Sequence, residues 1–339
     1  MVFSCFCLKL PYNYIVLPYL MLIFAYNFFK LCFAMSKYMK CRIQHGNARQ
    51  LLFEYAIKDD SLSKSFFDIH SIQDAIELNY DFAKGAIVHD FYLMIWFEKG
   101  SGRYDVDFQE YIIQDGTALF VSPRHIHQIK ELYDYKGYCI VFTEEFLFHM
   151  SEMMRKVIIN QFFCSYKGPS ICYVNDVDDL EEIRRQISCI IYEFENGSQL
   201  FGHQDQLAQL LCSFFISLKR IGAWINFETI YDKQDDYYYH IFINYVEGHF
   251  CQIHEVKEYA KALHVSVGTL TKGVMKISGL RPSEIINKRI ILEAKRLLCY
   301  SSELKVKQVA EKLGYYDVSN FVKFFKHNVG MTPMNFRKR

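Results

Sequence analysis

The strongest constraint on this chain is a two-helix pattern that occurs twice within its last hundred residues. From Glu255 to Leu263 the residues Val256, Tyr259, Ala260 and Leu263 recur at helical spacing and form one inward face. His264-Val265 then turns the chain, and Ser266 is a suitable N-cap for a second helix. That helix buries Leu270, Val274 and Ile277 and leaves Gly268, Thr269, Thr271, Lys272 and Lys276 outside. The pattern returns with Val306, Val309, Ala310 and Leu313 inward, Gly314 ending the helix and Tyr315-Tyr316-Asp317 as the turn. In the helix that follows, Phe321, Phe324, Phe325 and Val329 face inward, while Ser319, Asn320, Lys323, Lys326 and His327 face out. Ser266 and Asp317 or Val318, where the outward helices begin, lie a little over fifty residues apart.

Small Ala260 lets the paired helices cross closely, as in a helix-turn-helix, whose second member enters the major groove of DNA. Between the two units, Pro282 at a helix start and the stripe Ile285, Ile286, Ile290, Leu292, Ala294, Leu297 and Leu298 predict one long connecting helix. From Pro282 to Tyr300 it is roughly 28 Å long at about 1.5 Å per residue. A rod of that length can hold two recognition helices close to one helical repeat of DNA apart, about 34 Å.

Charge supports a phosphate-facing tail. The net charge is only +1, but from Tyr237 onward there are 17 Lys and Arg against 8 Asp and Glu. Of the totals of 39 and 38, that leaves 22 and 30 for residues 1–236, so the tail is +9 and the rest −8.

The front half reads as strands and then helices. Short apolar runs broken by turn residues cover Asp90 to Phe97, Tyr104 to Ile113, Ala118 to Val121 and Tyr138 to Phe142, the mark of an antiparallel barrel or sandwich. Gly100 and Gly102 are expected to supply a hairpin turn, and Pro123 to close the strand that Gly116 opens. After Asp176 the period becomes helical through Leu180, Ile183, Ile187, Ile190, Ile191 and Phe194. Asn196-Gly197-Ser198 breaks it, and a second amphipathic helix carries Leu207, Leu210, Leu211, Phe214, Phe215 and Leu218. These two helices either cover the barrel or pair with their copies in a second subunit.

Trp96, Tyr104 and His127 are candidates to line a small-molecule pocket in the barrel, or simply its core. His125-x-His127 puts two imidazoles on one face of a strand, but His89 lacks the paired His and carboxylate of a metal-binding barrel, so no metal and no cofactor is expected. There is no G-x-S-x-G elbow, no P-loop and no dinucleotide fingerprint, so no catalytic residue is assigned. The 11 cysteines form neither a CxxC pair nor a zinc spacing and read as small apolar residues in a reducing cytoplasm.

Tyr14 to Phe29 is almost wholly apolar, with no charge between Lys9 and Lys30, about the length of a bilayer span. Three readings stand: a membrane anchor, opposed by Pro18, Asn13 and Asn27; a signal peptide; and a translated upstream stretch ahead of a natural start at Met35 or Met39. The last is preferred. A membrane partner follows only from the first.

Residues from about Val256 to Arg337 resemble the DNA-binding domain of the AraC/XylS family of bacterial regulators. The resemblance is carried by Ala260, Leu263, Val265-Ser266, Leu270, Gly279, Pro282, Arg289, Ala294, Leu297-Leu298, Val309-Ala310, Leu313-Gly314-Tyr315, Asp317, Ser319, Phe321, Phe325-Lys326, Gly330, Thr332-Pro333 and Arg337. The front barrel is similar to the family's cupin-like sensor through Lys99-Gly100-Ser101-Gly102, Asp115-Gly116 and Pro123 to His127.

The resemblance implies a cytoplasmic regulator, often a homodimer, that binds double-stranded DNA, answers a small-molecule effector and works with RNA polymerase. By position, Ser266, Gly268, Thr269, Thr271, Lys272 and Lys276 would meet bases or phosphates from the first unit. Val318, Ser319, Asn320, Lys323 and Lys326 would do so from the second. Gly268 and Gly273 soften the first recognition helix by about 1 kcal/mol each relative to alanine. Lys272 and Lys323 stand where the family often has arginine, which reduces bidentate guanine reading.

The expected architecture is multidomain: a cupin-like antiparallel β-barrel plus two amphipathic helices, then an all-α domain of two helix-turn-helix units joined by a long helix. The expected division is a leader over residues 1–34 outside the fold, a sensor and dimerisation domain over 35–221, a linker over 222–236 and a DNA-binding domain over 237–339. The competing reading is a cupin-type metal-dependent enzyme or sugar-binding protein with a helical interaction module.

Overall fold

The computed structural model describes residues 39–45, 51–57, 66–78, 85–163, 170–225, 235–301 and 303–338. The leader of residues 1–34 and residues 226–234 of the expected linker lie outside the described residues.

The front domain is organised by two long strands, β5 (Tyr92–Val106) and β8 (Ile126–Phe142), paired antiparallel along almost their whole length. Each contributes its two halves to two different layers. The first half of β5 and the second half of β8 pair with β7 (Thr117–Val121) and β3 (Phe67–Ser71). Beyond β7 this layer continues into β9 (Ser170–Tyr173) and β10 (Ala223–Ile225). The other halves pair with β6 (Gln109–Ile113) and β4 (Ala86–His89), and β4 leads to β2 (Leu51–Ile57) and β1 (Met39–His45). The pair β2–β4 is parallel, a departure from the all-antiparallel expectation. Sequence distance allows it, since α1 (Ile72–Leu78) and β3 lie between them and provide the crossover.

Lys99-Gly100-Ser101-Gly102 is not a hairpin turn. It lies within β5, opposite β8, where the register shifts between Phe97 and Lys99, between Lys99 and Ser101, and between Arg103 and Tyr104. These bulges bend the ribbon from one layer into the other. Gly100 has φ +147°, and a Cβ on Gly102 would stand 2.1 Å from the Glu131 carbonyl oxygen, so the glycines serve a bend and a close strand approach. The hairpin turn comes later, at Asp107-Phe108.

Between the layers lies one core: Leu93, Ile95, Leu119, Val121 and Val141 from the first meet Ile87, Tyr104, Val106, Tyr111 and Ile113 from the second. The outer face of the first layer carries Met94, Trp96, Phe120 and Phe142 and is covered by helices. These are α2 (Glu152–Phe162), α3 (Val177–Asn196) and α4 (His203–Ile221). Asp176 caps α3 through the N–H groups of Asp178 and Asp179, and Ile183, Ile187 and Ile190 are its buried stripe. From α4, Leu207, Leu211, Phe214, Phe215 and Leu218 pack on the same sheet face. At the edge, Trp224 in β10 lies 5.3 Å from the Phe162 ring and 5.7 Å from that of Phe120. The expected linker thus gives its first residues to the sheet.

The helical domain follows: α5 (Asp235–His249), α6 (Val256–Ala262), α7 (Val267–Ser278), α8 (Pro282–Tyr300), α9 (Val306–Lys312), α10 (Val318–Val329) and α11 (Pro333–Arg337). One continuous core joins them, with Tyr259, Ala260, Leu270 and Val274 from the first unit and Val309, Ala310, Phe321 and Phe325 from the second. Ile285, Ile286, Ile290, Ala294 and Leu298 of α8 run through it. Neither helix pair is an independent fold.

Candidate nucleic-acid interface and sensor cluster

The two helix pairs repeat atom for atom at their turns. In the first, the N–H of Leu263 bonds Tyr259 O and that of Val265 bonds Ala260 O; in the second, Leu313 bonds Val309 O and Tyr315 bonds Ala310 O. Each turn needs one left-handed residue, His264 at φ 55° and Gly314 at φ 79°. Ser266 caps α7 by accepting from Thr269 N at 3.0 Å, and Asp317 caps α10 by accepting from Ser319 N at 2.8 Å. Both recognition helices end on a left-handed glycine, Gly279 and Gly330, followed three residues later by Pro282 or Pro333 opening the next helix. The second turn is one residue longer than the first, and the extra residue, Tyr316, is fully exposed.

On α7 and its cap, Ser266, Gly268, Thr269, Lys272 and Lys276 are exposed, and Thr271 is half-buried. The Ser266 hydroxyl is also 2.8 Å from Thr269 Oγ1, so its first duty is the cap. Gly273 is buried against the core. On α10, Ser319, Asn320, Lys323 and Lys326 are exposed, whereas Val318 is half-buried and packs on the core. The two outward faces therefore present hydroxyls, an amide and ammonium groups to solvent.

Behind them, Arg289 of α8 is buried at 4% exposure. Its Nε is 2.8 Å from Glu247, its Nη1 is 3.1 Å from Glu293, and its guanidinium stacks 3.9 Å over the Phe250 ring. Burial alone would depress its pKa, but the two carboxylates more than offset this and raise it.

In the sandwich interior, β8 places His127 opposite Ile87 of β4, and Tyr104 on β5 shares a 2.7 Å hydrogen bond with His127 Nδ1. The His89 ring lies edge-on to that of His127, with centroids 4.9 Å apart. His89 Nδ1 is 2.7 Å from the Phe91 carbonyl; a carbonyl only accepts, so this nitrogen carries the proton. His89 Nε2 and His125 Nε2 are buried without a hydrogen-bond partner among the described residues. Burial lowers the His89 pKa to about 3, and burial together with the neighbouring imidazoles holds His127 well below its ordinary value. Burial likewise pushes the Tyr104 phenol up. His89 and His127 are thus neutral, and with Tyr104 they form a buried polar group inside an apolar shell. Trp96 does not join it, because it points from the other face of β5 into the core under α3 and α4. Among the described residues, no group of three or more His, Cys, Asp or Glu side chains is arranged to hold a metal ion.

A sequence model of the family described as AraC-like ligand binding domain matches residues 72–208, and one described as Helix-turn-helix domain matches residues 259–339. The chain belongs to the AraC/XylS family of transcriptional regulators. It is similar to the HTH-type transcriptional activator RhaS of Yersinia pestis, 23% identical over 258 residues, covering 74% of this chain and 88% of that protein. Among solved structures it resembles ToxT from Vibrio cholerae with unsaturated fatty acid bound, at 16% identity and TM-score 0.38, covering 83% of this chain and 96% of that one. It also resembles the C-terminal domain of the response regulator yesN from Fusobacterium nucleatum, at 26% identity and TM-score 0.27, covering 29% of this chain and 94% of that one.

This AraC-family chain is thus a DNA-binding regulator with a ligand-binding domain, not an enzyme. Family membership replaces the competing reading of a cupin-type enzyme or sugar-binding protein. Among the described residues no helix is long and apolar enough to cross a membrane. Reading the sequence placed most of the outward residues, Thr271 and Val318 being half-buried; it named Arg289 only as a matching position and Arg296 not at all, because a helix stripe shows apolar spacing and hides a charged residue whose partners lie far along the chain.

Proposed function

We propose that this regulator is a transcriptional activator of the cytoplasm that binds its operator as a homodimer, contacts RNA polymerase, and responds to a small molecule held between the sheet layers near Tyr104 and His127. The observation that supports DNA binding through both units is the pair of exposed recognition faces set on one shared core. The name of the similar RhaS, an activator, favours activation over repression. For the dimer, the support is a groove on the outer side of α3 and α4, lined by Cys189, Tyr192 and Leu210 with Arg185 and Glu193.

In this reading Ser266, Gly268, Thr269, Thr271, Lys272 and Lys276 meet DNA from the first unit, and Val318, Ser319, Asn320, Lys323 and Lys326 from the second. Val318 acts by setting the helix, given its packing. Two lysines at positions suited to arginine favour phosphate contact over base reading, so the second unit, free of helix glycines, carries more of the affinity.

Genome-wide mapping of bound sites, followed by titration of one such duplex with rising salt, tests the reading. Binding whose log K falls linearly with log salt is expected, with the slope reduced by about 1 on losing either lysine. Lys323→Ala should weaken binding more than Lys272→Ala. The reverse order would overturn the ranking, and binding indifferent to salt would overturn the interface.

A further inference from the structure

The β5–β6 turn is made by two consecutive non-glycine residues with positive φ, Asp107 at 50° and Phe108 at 69°. A two-residue hairpin of this kind ordinarily takes Asn-Gly or Asp-Gly, so an aspartate followed by a phenylalanine is held there by something other than local preference. What holds it belongs to both domains. Asp107 Oδ1 accepts from Arg296 Nε at 2.8 Å and from the Ile126 N–H at 3.2 Å, while Oδ2 accepts from Arg296 Nη2 at 2.6 Å. His125 Nδ1 stands 2.7 Å from the same Oδ2, off the line of a good hydrogen bond. The Phe108 ring lies 6.1 Å from that of Tyr300 and 6.0 Å from that of Phe336.

Arg296 and Tyr300 are on α8 and Phe336 is on α11, so the tip of a sensor hairpin is seated on the DNA-binding domain. The carboxylate and the guanidinium are 6% and 7% exposed, which makes this a buried, two-pronged ion pair across 189 residues of chain. Burial would raise the Asp107 pKa, but His125 and Arg296 hold it well below the usual carboxylate range. Arg296 also reaches Glu293 at 3.4 Å.

We propose that the Asp107-Phe108 turn is a latch that fixes α8, and with it both recognition helices, at one angle to the sensor. Resting on the effector reading above, its control point is His125, which shares the carboxylate with Arg296 and lies two residues from His127. A ligand in the cluster that draws the His125 ring away changes the shell of the carboxylate that Arg296 needs. Its contacts on the helical domain, Arg296, Tyr300 and Phe336, lie on α8 and α11 and include none of the outward residues of α7 and α10, so it sets orientation rather than access.

The test is amide hydrogen exchange on the full chain, comparing wild type with Asp107→Asn, Arg296→Met, the double variant and Tyr104→Phe. The expected result is at least tenfold faster exchange over residues 295–301 in both single latch variants, with the double no faster than either, and protection of Leu270–Val274 and Leu119–Val121 kept. Unchanged exchange in both singles overturns the latch. If a single variant loses protection throughout, Phe108→Gly decides, since it suits the turn, keeps the ion pair and removes only the ring. Faster exchange at 298–301 then supports the latch, and none overturns it. Tyr104→Phe, which touches only the cluster, is expected to speed exchange at 295–301 by a smaller factor; no change overturns control from the cluster. Salt-dependent binding of a duplex by wild type is read separately, so failure of the regulator reading does not imitate failure of the latch.

Discussion

Arg289 shows how much one side chain can carry in a domain this small. It is a cation inside an apolar core, tolerated because Glu247 and Glu293 reach it from α5 and from its own helix and Phe250 offers a ring face. Removing one member of such a cluster strands the others: Arg289→Met takes away the guanidinium that joins the partly buried Glu247 and Glu293, and leaves Glu293 only the longer 3.4 Å contact to Arg296. The expected loss is about 3 kcal/mol in urea unfolding of the full chain, at the low end for buried pairs because both glutamates keep some solvent. Arg289→Lys should recover little of it, since an ammonium cannot serve both carboxylates and stack on Phe250 together. A loss below about 0.5 kcal/mol for Arg289→Met would show the cluster to be a surface feature.

At the scale of elements, the two helix pairs are a natural comparison of one turn built with different residues. His264 and Gly314 occupy the same left-handed position, yet a Cβ on Gly314 would stand 1.9 Å from the Cys251 carbonyl oxygen. The second turn is pinned there by the loop after α5, whose His254 also bonds Leu313 O at 2.9 Å and lies with its ring tilted against that of Tyr315, centroids 4.7 Å apart. Gly314→Ala should therefore destabilise the domain by more than about 1 kcal/mol. His264→Gly should instead be neutral or stabilise by a few tenths of a kcal/mol through relief of left-handed strain. Thermal melts of the two variants check this, and equal effects would mean the turns are equivalent after all. These pairs, the long α8 and the helices α3 and α4 were legible in the sequence because helical period and caps are local signals. The course of β5 was not: Lys99-Gly100-Ser101-Gly102 has turn composition, and only pairing with β8, some thirty residues on, makes it strand. The site divides the same way. Exposed faces of α7 and α10 follow from spacing, whereas Trp96 and Tyr104 were grouped as neighbours although the intervening bulges put them on opposite faces of the sheet.

For the whole molecule, the buried imidazoles dictate how stability answers to acid. His89 is neutral in the fold until about pH 3, and His127 is likewise held well below its ordinary value, whereas both take up a proton near pH 6.5 once unfolded. Above pH 6.5 neither distinguishes the two states. Below it the unfolded chain binds protons that the fold refuses, so stability falls by about 1.4 kcal/mol per pH unit for each histidine. His70 acts in the opposite sense on the alkaline side. Its pKa is raised, with burial opposing and Asp68 at 2.8 Å outweighing it, so its contribution is present in full below pH 6.5 and fades as pH rises through the folded value. Asp107, depressed, adds a further loss only below about pH 4. The sensor should thus be most stable near pH 6.5 to 7 and lose about 2 to 3 kcal/mol between pH 6 and pH 5. Both tryptophans, Trp96 and Trp224, lie in the sensor, so their fluorescence during urea unfolding follows that domain without interference from the helical one. His127→Gln should halve the acid slope, and a wild-type profile flat from pH 7 to pH 5 would mean that the imidazoles are solvated.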